Sequence, residues 1–508
     1  MHNYLRKYFI NMTYLVASID FLLLENRNEY ILVKDTSRGH NMTRTAKLSF
    51  YFIIFIIFGM IGLWMPLLGD DLHWGTYFGS NYFPQGIFLK YDGRYLGDLL
   101  VISITKIKPL SFIAYGTFMT LIVFLVQKIR DQIKTPKSLG LVSSSLMTIA
   151  ILITPKVIFK QILGWHAGFA NYVPSVVFPL FMLYLVLKNY DKEIHYYRTI
   201  VILIFLASIF AQFFAEHVTL LNCFNSVLVW IFLRKHFGIE FKKILNWILL
   251  GNIIGAFFMF INGAYLKILF GKDSYRSVSG SAKSDTMFNY LKTQFTPKTL
   301  ITVGVLLLLF SIIVILYSYK IRNIKLRIAN LFLLLSGFVV IAPFLVVSPF
   351  GSRCMFATYA LFSTIIVINI DLLTDAYEKY IFPVFALIAL VLGVRMDLIA
   401  RNYGKTFDMQ IEYSEYQNTI DSKNQYYLQY QDTHYIWLTT LIQDDPNFAE
   451  LYVKNNNRNK IPINYYDWVD VQDQLQNKHF ANRDEYMKAF NKGILEKVKL
   501  IQQKQQKK

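Results

Sequence analysis

The sequence predicts an all-α polytopic membrane protein with about eleven transmembrane helices. Three observations point there. Of the 508 residues, 54% are hydrophobic and only 17% charged, against about 25% charged in an ordinary soluble domain. The apolar residues gather in runs close to the roughly 20 that a helix needs to cross a bilayer. The basic residues sit mainly in short loops between alternate runs, the positive-inside pattern that sets orientation. That placement accounts for the net charge of +19 and leaves a nucleic-acid reading without support. The aromatic share of 17% suits a lipid-facing bundle.

Residues 1–47 are mixed and basic. Tyr14 to Leu24 is an apolar run broken by Asp20, too short to span and without a cleavage site behind it. Met42-Thr-Arg-Thr-Ala-Lys47 reads as a natural bacterial start, which would make residues 1–41 an over-long start; a loose cytoplasmic tail is the other reading. The first span is 48–68, and Arg38, Arg44 and Lys47 before it put its N-terminus on the cytoplasmic side. Residues 69–108 then lie outside, a Trp-, Tyr-, Phe- and Gly-rich loop expected to form short interfacial helices. Further spans fall at 109–127, 138–158, 172–188, 199–215, 218–233, 244–262, 299–319, 328–347, 354–371 and 381–398. The inner loops between them are short and basic, except 371–379, which is mostly acidic. An odd count puts the C-terminus outside. The expected organisation is a cytoplasmic tail (1–47), a membrane module (48–400) with long outer loops at 69–108 and 263–298, and an extracytoplasmic soluble region (401–508). In the last region 435–442 and 483–490 read as helices, and the charged end from Glu496 reads as frayed.

Five constellations on the outer loops carry candidate chemistry. Asp70-Asp71, followed by His73 and Trp74, opens the first loop. Carboxylates at a membrane face are disfavoured unless used, so a general base or a metal ligand is one reading; a cap on the next helix after the Gly69 turn is the other. Asp92-Gly93-Arg94-Tyr95-Leu96-Gly97 offers a guanidinium for bidentate anion recognition, or else a local Asp92–Arg94 turn. Trp165-His166 and Asn171-Tyr172, with Lys156 and Lys160 upstream, offer rings to stack on a sugar, polar groups to bond hydroxyls, and cations; an interfacial aromatic belt explains the rings alone. Glu216-His217 interrupts two apolar spans at a tight hairpin, either functional or a capped turn. Arg353 follows Pro349 in a short outer turn, as an anion ligand or an interfacial anchor. The loop 263–298 adds Lys272, Asp273, Arg276, Lys283 and Asp285 and reads as a loop that orders on substrate or as a solvated linker. Walker, GxGxxG, HExxH and GxSxG motifs are absent, so a nucleotide-using cytoplasmic site is unsupported. Cys223 and Cys354 lie in or beside apolar spans and make no disulfide framework.

Together these residues resemble a GT-C type glycosyltransferase, and more narrowly a bacterial multi-spanning family. Its pattern is an Asp-Asp after the first span, an (Asn or Asp)-Gly-Arg-Tyr-Leu-Gly loop motif, Trp-x-x-Gly-x-x-Asn-Tyr, a later outer Glu, and an Arg after a Pro-containing loop. The matching positions are Asp70-Asp71, Asp92 to Gly97, Trp165 to Tyr172, Glu216 and Arg353, within residues 48–400. Asp92 stands where Asn is more usual. The resemblance implies a GT-C-like membrane module in the bacterial cell membrane. It also implies inverting transfer of a sugar from a polyprenyl-phosphate donor to a cell-envelope glycopolymer acceptor. Asp70 or Asp71 would act as the base. Arg94, Arg353, Lys156 and Lys160 would meet the donor phosphate. His73, Trp74, Asp92, Tyr95, Trp165, His166, Asn171, Tyr172, Glu216 and His217 would hold substrate. No cofactor is expected; a divalent metal on Asp70, Asp71 and Glu216 is conceivable chemistry without support in the sequence. The competing expectations are a lipid-linked glycan transporter or flippase, an envelope polysaccharide polymerase, and a non-catalytic envelope scaffold.

Overall fold

A computed structural model of the chain describes residues 37–134, 140–270, 277–278, 287, 291–292, 296–420, 423–430, 433–437, 446–454 and 458–506. Lys272, Asp273, Arg276, Lys283, Asp285, most of the 435–442 segment and residues 1–36 lie outside them.

The bundle opens with α1 (Ser37–Trp64), which begins inside the predicted tail and ends just before Pro66, whose ring disfavours helix in the preceding residue. Short helices α2 (Asp70–Gly75), α3 (Tyr77–Asn81) and α4 (Tyr95–Lys106) then fill the predicted outer loop. α5 (Lys108–Ile133) starts with Pro109 in its first turn, where a missing N–H costs nothing. α5 runs back along α1 at close range, because Gly59 and Gly62 face Phe112 and Tyr115, and Gly116 faces Phe55. The predicted span 138–158 is broken: α6 (Val142–Leu152) and α7 (Lys156–Ile162) meet at 92°. Pro155 between them is the physical cause. The predicted outer loop 159–171 is therefore helical, in α7 and α8 (His166–Tyr172), and α8 leads through a 3₁₀ turn into α9 (Val177–Asn189).

α10 (Arg198–Phe210) and α11 (Glu216–Phe232) make the tight hairpin, followed by α12 (Ile239–Phe260) and α13 (Gly263–Leu269). β1 (Ser277–Val278) pairs antiparallel with β2 (Val347–Ser348). The bundle closes with α14 (Pro297–Lys320), α15 (Ile324–Val339), α16 (Phe356–Thr374) and the 40-residue α17 (Glu378–Gln417). α10 packs on α12, α12 on α11, α15 on α16, and α17 on both α1 and α6. Among the described residues eight helices are long and apolar enough to cross a membrane, nine if the α6–α7 pair counts as one. α10 and α11 are shorter apolar helices. The chain is an all-α multi-pass membrane protein.

α17 continues past the predicted boundary at residue 400 into the C-terminal region, where β3 (Asn424–Gln429) lies parallel to β4 (Asn459–Asn464). Two buried glutamines of α17 satisfy β3: Gln417 exchanges bonds with the Tyr426 N–H and carbonyl (2.7 and 2.9 Å), and Gln410 accepts from the Leu428 N–H (2.8 Å). α18 (Pro446–Tyr452), α19 (Tyr465–Gln476) and α20 (Arg483–Gln506) complete the region. Its core sets Tyr413 of α17 edge-on to Trp468 and Phe490, at ring distances of 5.4 and 5.2 Å. α20 stays helical through the end predicted to fray, held by buried Ile494 and a Lys497–Asp470 ion pair.

Candidate functional site

Asp70 and Asp71 part at the first turn of α2. Gly69 takes φ +55° and throws the chain into the helix, a conformation that favours glycine. Asp70 is exposed. Asp71 is fully buried, and its oxygens accept N–H bonds from Ala167 (2.8 Å), His166 (3.1 Å) and Leu68 (3.4 Å). It thereby satisfies the first amides of α8, the capping role open to it in the sequence. His166 completes the contact, with Nδ1 3.4 Å from Asp71 and Nε2 3.3 Å from the Gly62 carbonyl. His73 is exposed and stacks on Phe78, while Trp74 is buried among Phe78, Tyr82 and Tyr91.

The Asp92–Gly97 turn is tied to the second half of the bundle. The Arg94 guanidinium makes a two-point ion pair with Glu216, Nε and an Nη each 2.9 Å from an oxygen. Glu216 also accepts from Tyr265 (2.6 Å). Burial alone would lower the Arg94 pKa, but Glu216, Tyr172 and Asp92 outweigh it and hold Arg94 firmly charged. Asp92 accepts the Arg94 N–H at 3.0 Å, and its carbonyl takes a bond from Asn262 (2.7 Å). Tyr95 reaches the Phe258 carbonyl at 3.3 Å. Burial, and then the neighbouring Asp92, push the Asp98 carboxyl well above the usual carboxylate range, and the Tyr82 hydroxyl donates to it.

Arg353 and Arg94 share the Tyr172 ring: their guanidinium carbons are 6.0 and 5.6 Å from its centroid. Arg353 donates to the Tyr172 hydroxyl (3.2 Å) and the Gln161 amide oxygen (3.2 Å from its backbone N–H), and covers the Trp165 ring at 5.5 Å. Among the described residues no carboxylate pairs with it. Around it the buried Trp165 Nε1 and His217 Nε2 have no hydrogen-bond partner among the described residues, and His217 stands 5.7 Å from the Tyr172 ring. Lys160 is half-buried on α7 beside Gln161; Lys156 is exposed and sits 5.3 Å over Tyr435. Asn171 is buried, bonds the Ala167 carbonyl (2.9 Å) and abuts Gly97, whose absent Cβ would fall 2.0 Å from its Oδ1. The structure thus brings Arg94, Arg353, Trp165, Tyr172, Glu216 and His217 together, with Asp70 on the adjoining turn. His73 and Trp74 belong to a separate aromatic cluster of α2–α4.

Asp98, Tyr82, Tyr265, Gln161 and Asn262 were not singled out in the sequence. Asp98 carried a signal, an acidic residue inside the apolar stretch Leu96-Gly-Asp-Leu-Leu-Val101; the others carried none. Asp71 is engaged by amides and Glu216 by Arg94 and Tyr265, and among the described residues no group of three or more His, Cys, Asp or Glu is disposed to hold a metal. No protein-family model, curated protein or solved structure matches the chain.

Proposed function

We propose that the chain is a GT-C-like glycosyltransferase of the bacterial cell membrane, crossing it about eleven times, with the N-terminus cytoplasmic and the site and C-terminal region outside. It transfers a sugar from a polyprenyl-phosphate donor to a hydroxyl of a cell-envelope glycopolymer. The observation that supports this best is Arg353: a largely buried guanidinium with no carboxylate paired to it among the described residues, cradled by two aromatic rings and an amide. A cation so placed, with no counter-charge among the described residues, suits an anionic ligand such as a phosphate. Arg94, which also meets the Tyr172 ring, is already neutralised by Glu216 and shapes the same wall.

Asp70 is the better-placed base of the acidic pair, because Asp71 is consumed by backbone amides. It takes the acceptor hydroxyl proton as that oxygen attacks the anomeric carbon. The bond from that carbon to the phosphate oxygen breaks, its electron pair leaves with the lipid phosphate, and Arg353 stabilises the charge. Among the described residues no donor set for a resident metal is assembled, and no step uses one.

Purified protein in detergent, given polyprenyl-phosphate sugars and a cell-envelope glycopolymer as acceptor, should release free polyprenyl phosphate as the acceptor is glycosylated. Asp70→Asn and Arg353→Gln should each abolish or strongly reduce that release while leaving the protein folded. Undiminished release from both variants would overturn the proposal. A transporter reading draws on buried amides between α10, α11 and α12: Gln212 donates to Asn252 (2.8 Å) and Asn252 to the Asn222 carbonyl (3.1 Å). These amides bond one another across helices, which suits interhelical adhesion and favours the transferase.

A further inference from the structure

Two of the glycines that border the site motifs are small because of the C-terminal region. A Cβ on Gly164 would lie 2.0 Å from the Tyr435 carbonyl oxygen, and one on Gly69 would lie 2.8 Å from the Trp437 ring. The segment 433–437 enters between them. The Trp437 N–H donates to the Gly164 carbonyl (3.2 Å), Tyr435 sits edge-on to Phe159 at 5.4 Å, and Ile436 is fully buried. The Trp437 indole then stacks on Trp165, with centroids 4.2 Å apart and planes at 21°. Trp165 in turn lies under the Arg353 guanidinium. A second tether comes from α18, where Asn447 donates to the Gly69 carbonyl (3.3 Å). The C-terminal region therefore touches both the turn that presents Asp70 and the ring that underlies Arg353.

From this we infer that Trp437 is a positioning residue: through Trp165 it fixes the Arg353 guanidinium, and through Gly69 it fixes the turn that carries Asp70. The inference rests on the proposed phosphate and base roles of those two residues. It makes the C-terminal region part of the site, although no motif of the membrane module extends there. The physical reason is rotamer restriction. Among the described residues the Trp165 indole N–H has no hydrogen-bond partner, and the stacked indole supplies the constraint on its plane. Without it the ring under Arg353 is free to tilt, and the Gly69 turn loses the surface against which it packs.

The test uses the full-length chain in detergent with a short-chain polyprenyl phosphate as probe, comparing Trp437→Ala, Trp437→Leu and Trp437→Phe with Arg353→Gln. Affinity is read by calorimetry, turnover by release of polyprenyl phosphate, and folding by thermal unfolding. Trp437→Ala and Trp437→Leu should weaken the probe about two- to twelvefold, the worth of one aromatic stack, and also lower kcat through Asp70. Trp437→Phe should restore both, which a role in bulk filling alone would not require. If Trp437→Ala does not fold, the Leu and Phe pair carries the comparison. Leu and Phe variants that both match wild type in affinity and turnover, while Arg353→Gln loses affinity, would overturn this inference and leave the phosphate site standing. If Arg353→Gln binds the probe as wild type does, the phosphate reading falls, and this inference with it.

Discussion

Asp70 and Asp71 differ by one position and by everything around them. Asp71→Ala removes the acceptor for three buried amides, and losing charge-assisted bonds of this kind costs about 3 kcal/mol. Chemical denaturation in detergent should show that loss. Asp70→Asn lies on the surface and should change stability by no more than about 0.5 kcal/mol while eliminating turnover. Equal destabilisation by the two substitutions would contradict their assigned surroundings. Asp98 gives a different kind of prediction. Its raised carboxyl, caused by burial and then by Asp92, keeps its proton in the folded protein at pH values where the unfolded chain has lost it, above about 3.9. The stability this provides is complete below that value and drains away as pH rises through the folded pKa. Asp98→Asn keeps the shape without the charge and should flatten that decline. Unfolding midpoints of wild type and variant that run parallel from about pH 4 to about pH 8 would exclude a buried proton at Asp98.

At the scale of elements, close approach at glycines sets how the site is assembled. Gly97 lets α4 cross α8 at Asn171, whose amide is pinned to the Ala167 carbonyl and cannot yield. Gly97→Ala should cost about 1–3 kcal/mol by overpacking, measurable as a lower unfolding midpoint. This packing explains part of what could be read from the chain. Most of the predicted spans fall on helices, the span at 138–158 on two, since hydropathy is local and a membrane helix advertises its own length. Ends were harder: α1 starts at Ser37 and α17 runs on to Gln417 because polar helix continues from apolar helix without a break in the backbone pattern. Pro155 was visible, but the apolar residues around it concealed the bend. In the site, Arg94, Glu216, Tyr172 and Arg353 were legible as ionisable or ring-bearing residues at helix mouths. Tyr265 and Trp437 were not, because their roles exist only through partners remote in the sequence, Glu216 for one and Trp165 for the other.

Across the whole molecule a second buried charge pair marks the end of the bundle opposite the site. Arg130 donates to Asp371 (2.8 Å) and to the Lys134 carbonyl (2.9 Å), and Asp371 also accepts from the N–H and hydroxyl of Ser143 (2.8 and 2.6 Å). Glu378, at the start of α17, accepts the Gly140 N–H beside it. These contacts join α5, α6, α16 and α17 at one end, adding to the Ser144–Gln127 and Tyr359–Ala150 bonds that link α6 to α5 and to α16. Asp371 opens the one mostly acidic inner loop, 371–379, and its pairing with Arg130 accounts for a carboxylate there. Removing one partner strands a buried charge, so Asp371→Ala should destabilise by about 3–5 kcal/mol, whereas Arg130→Met with Asp371→Leu should come close to neutral. Neither change reaches Arg353, so polyprenyl-phosphate affinity of whatever fraction folds should stay at the wild-type value. A double substitution as damaging as Asp371→Ala would show that the pair specifies the arrangement of the four helices rather than merely neutralising itself. Affinity that falls with it would mean that the two ends of the bundle are coupled.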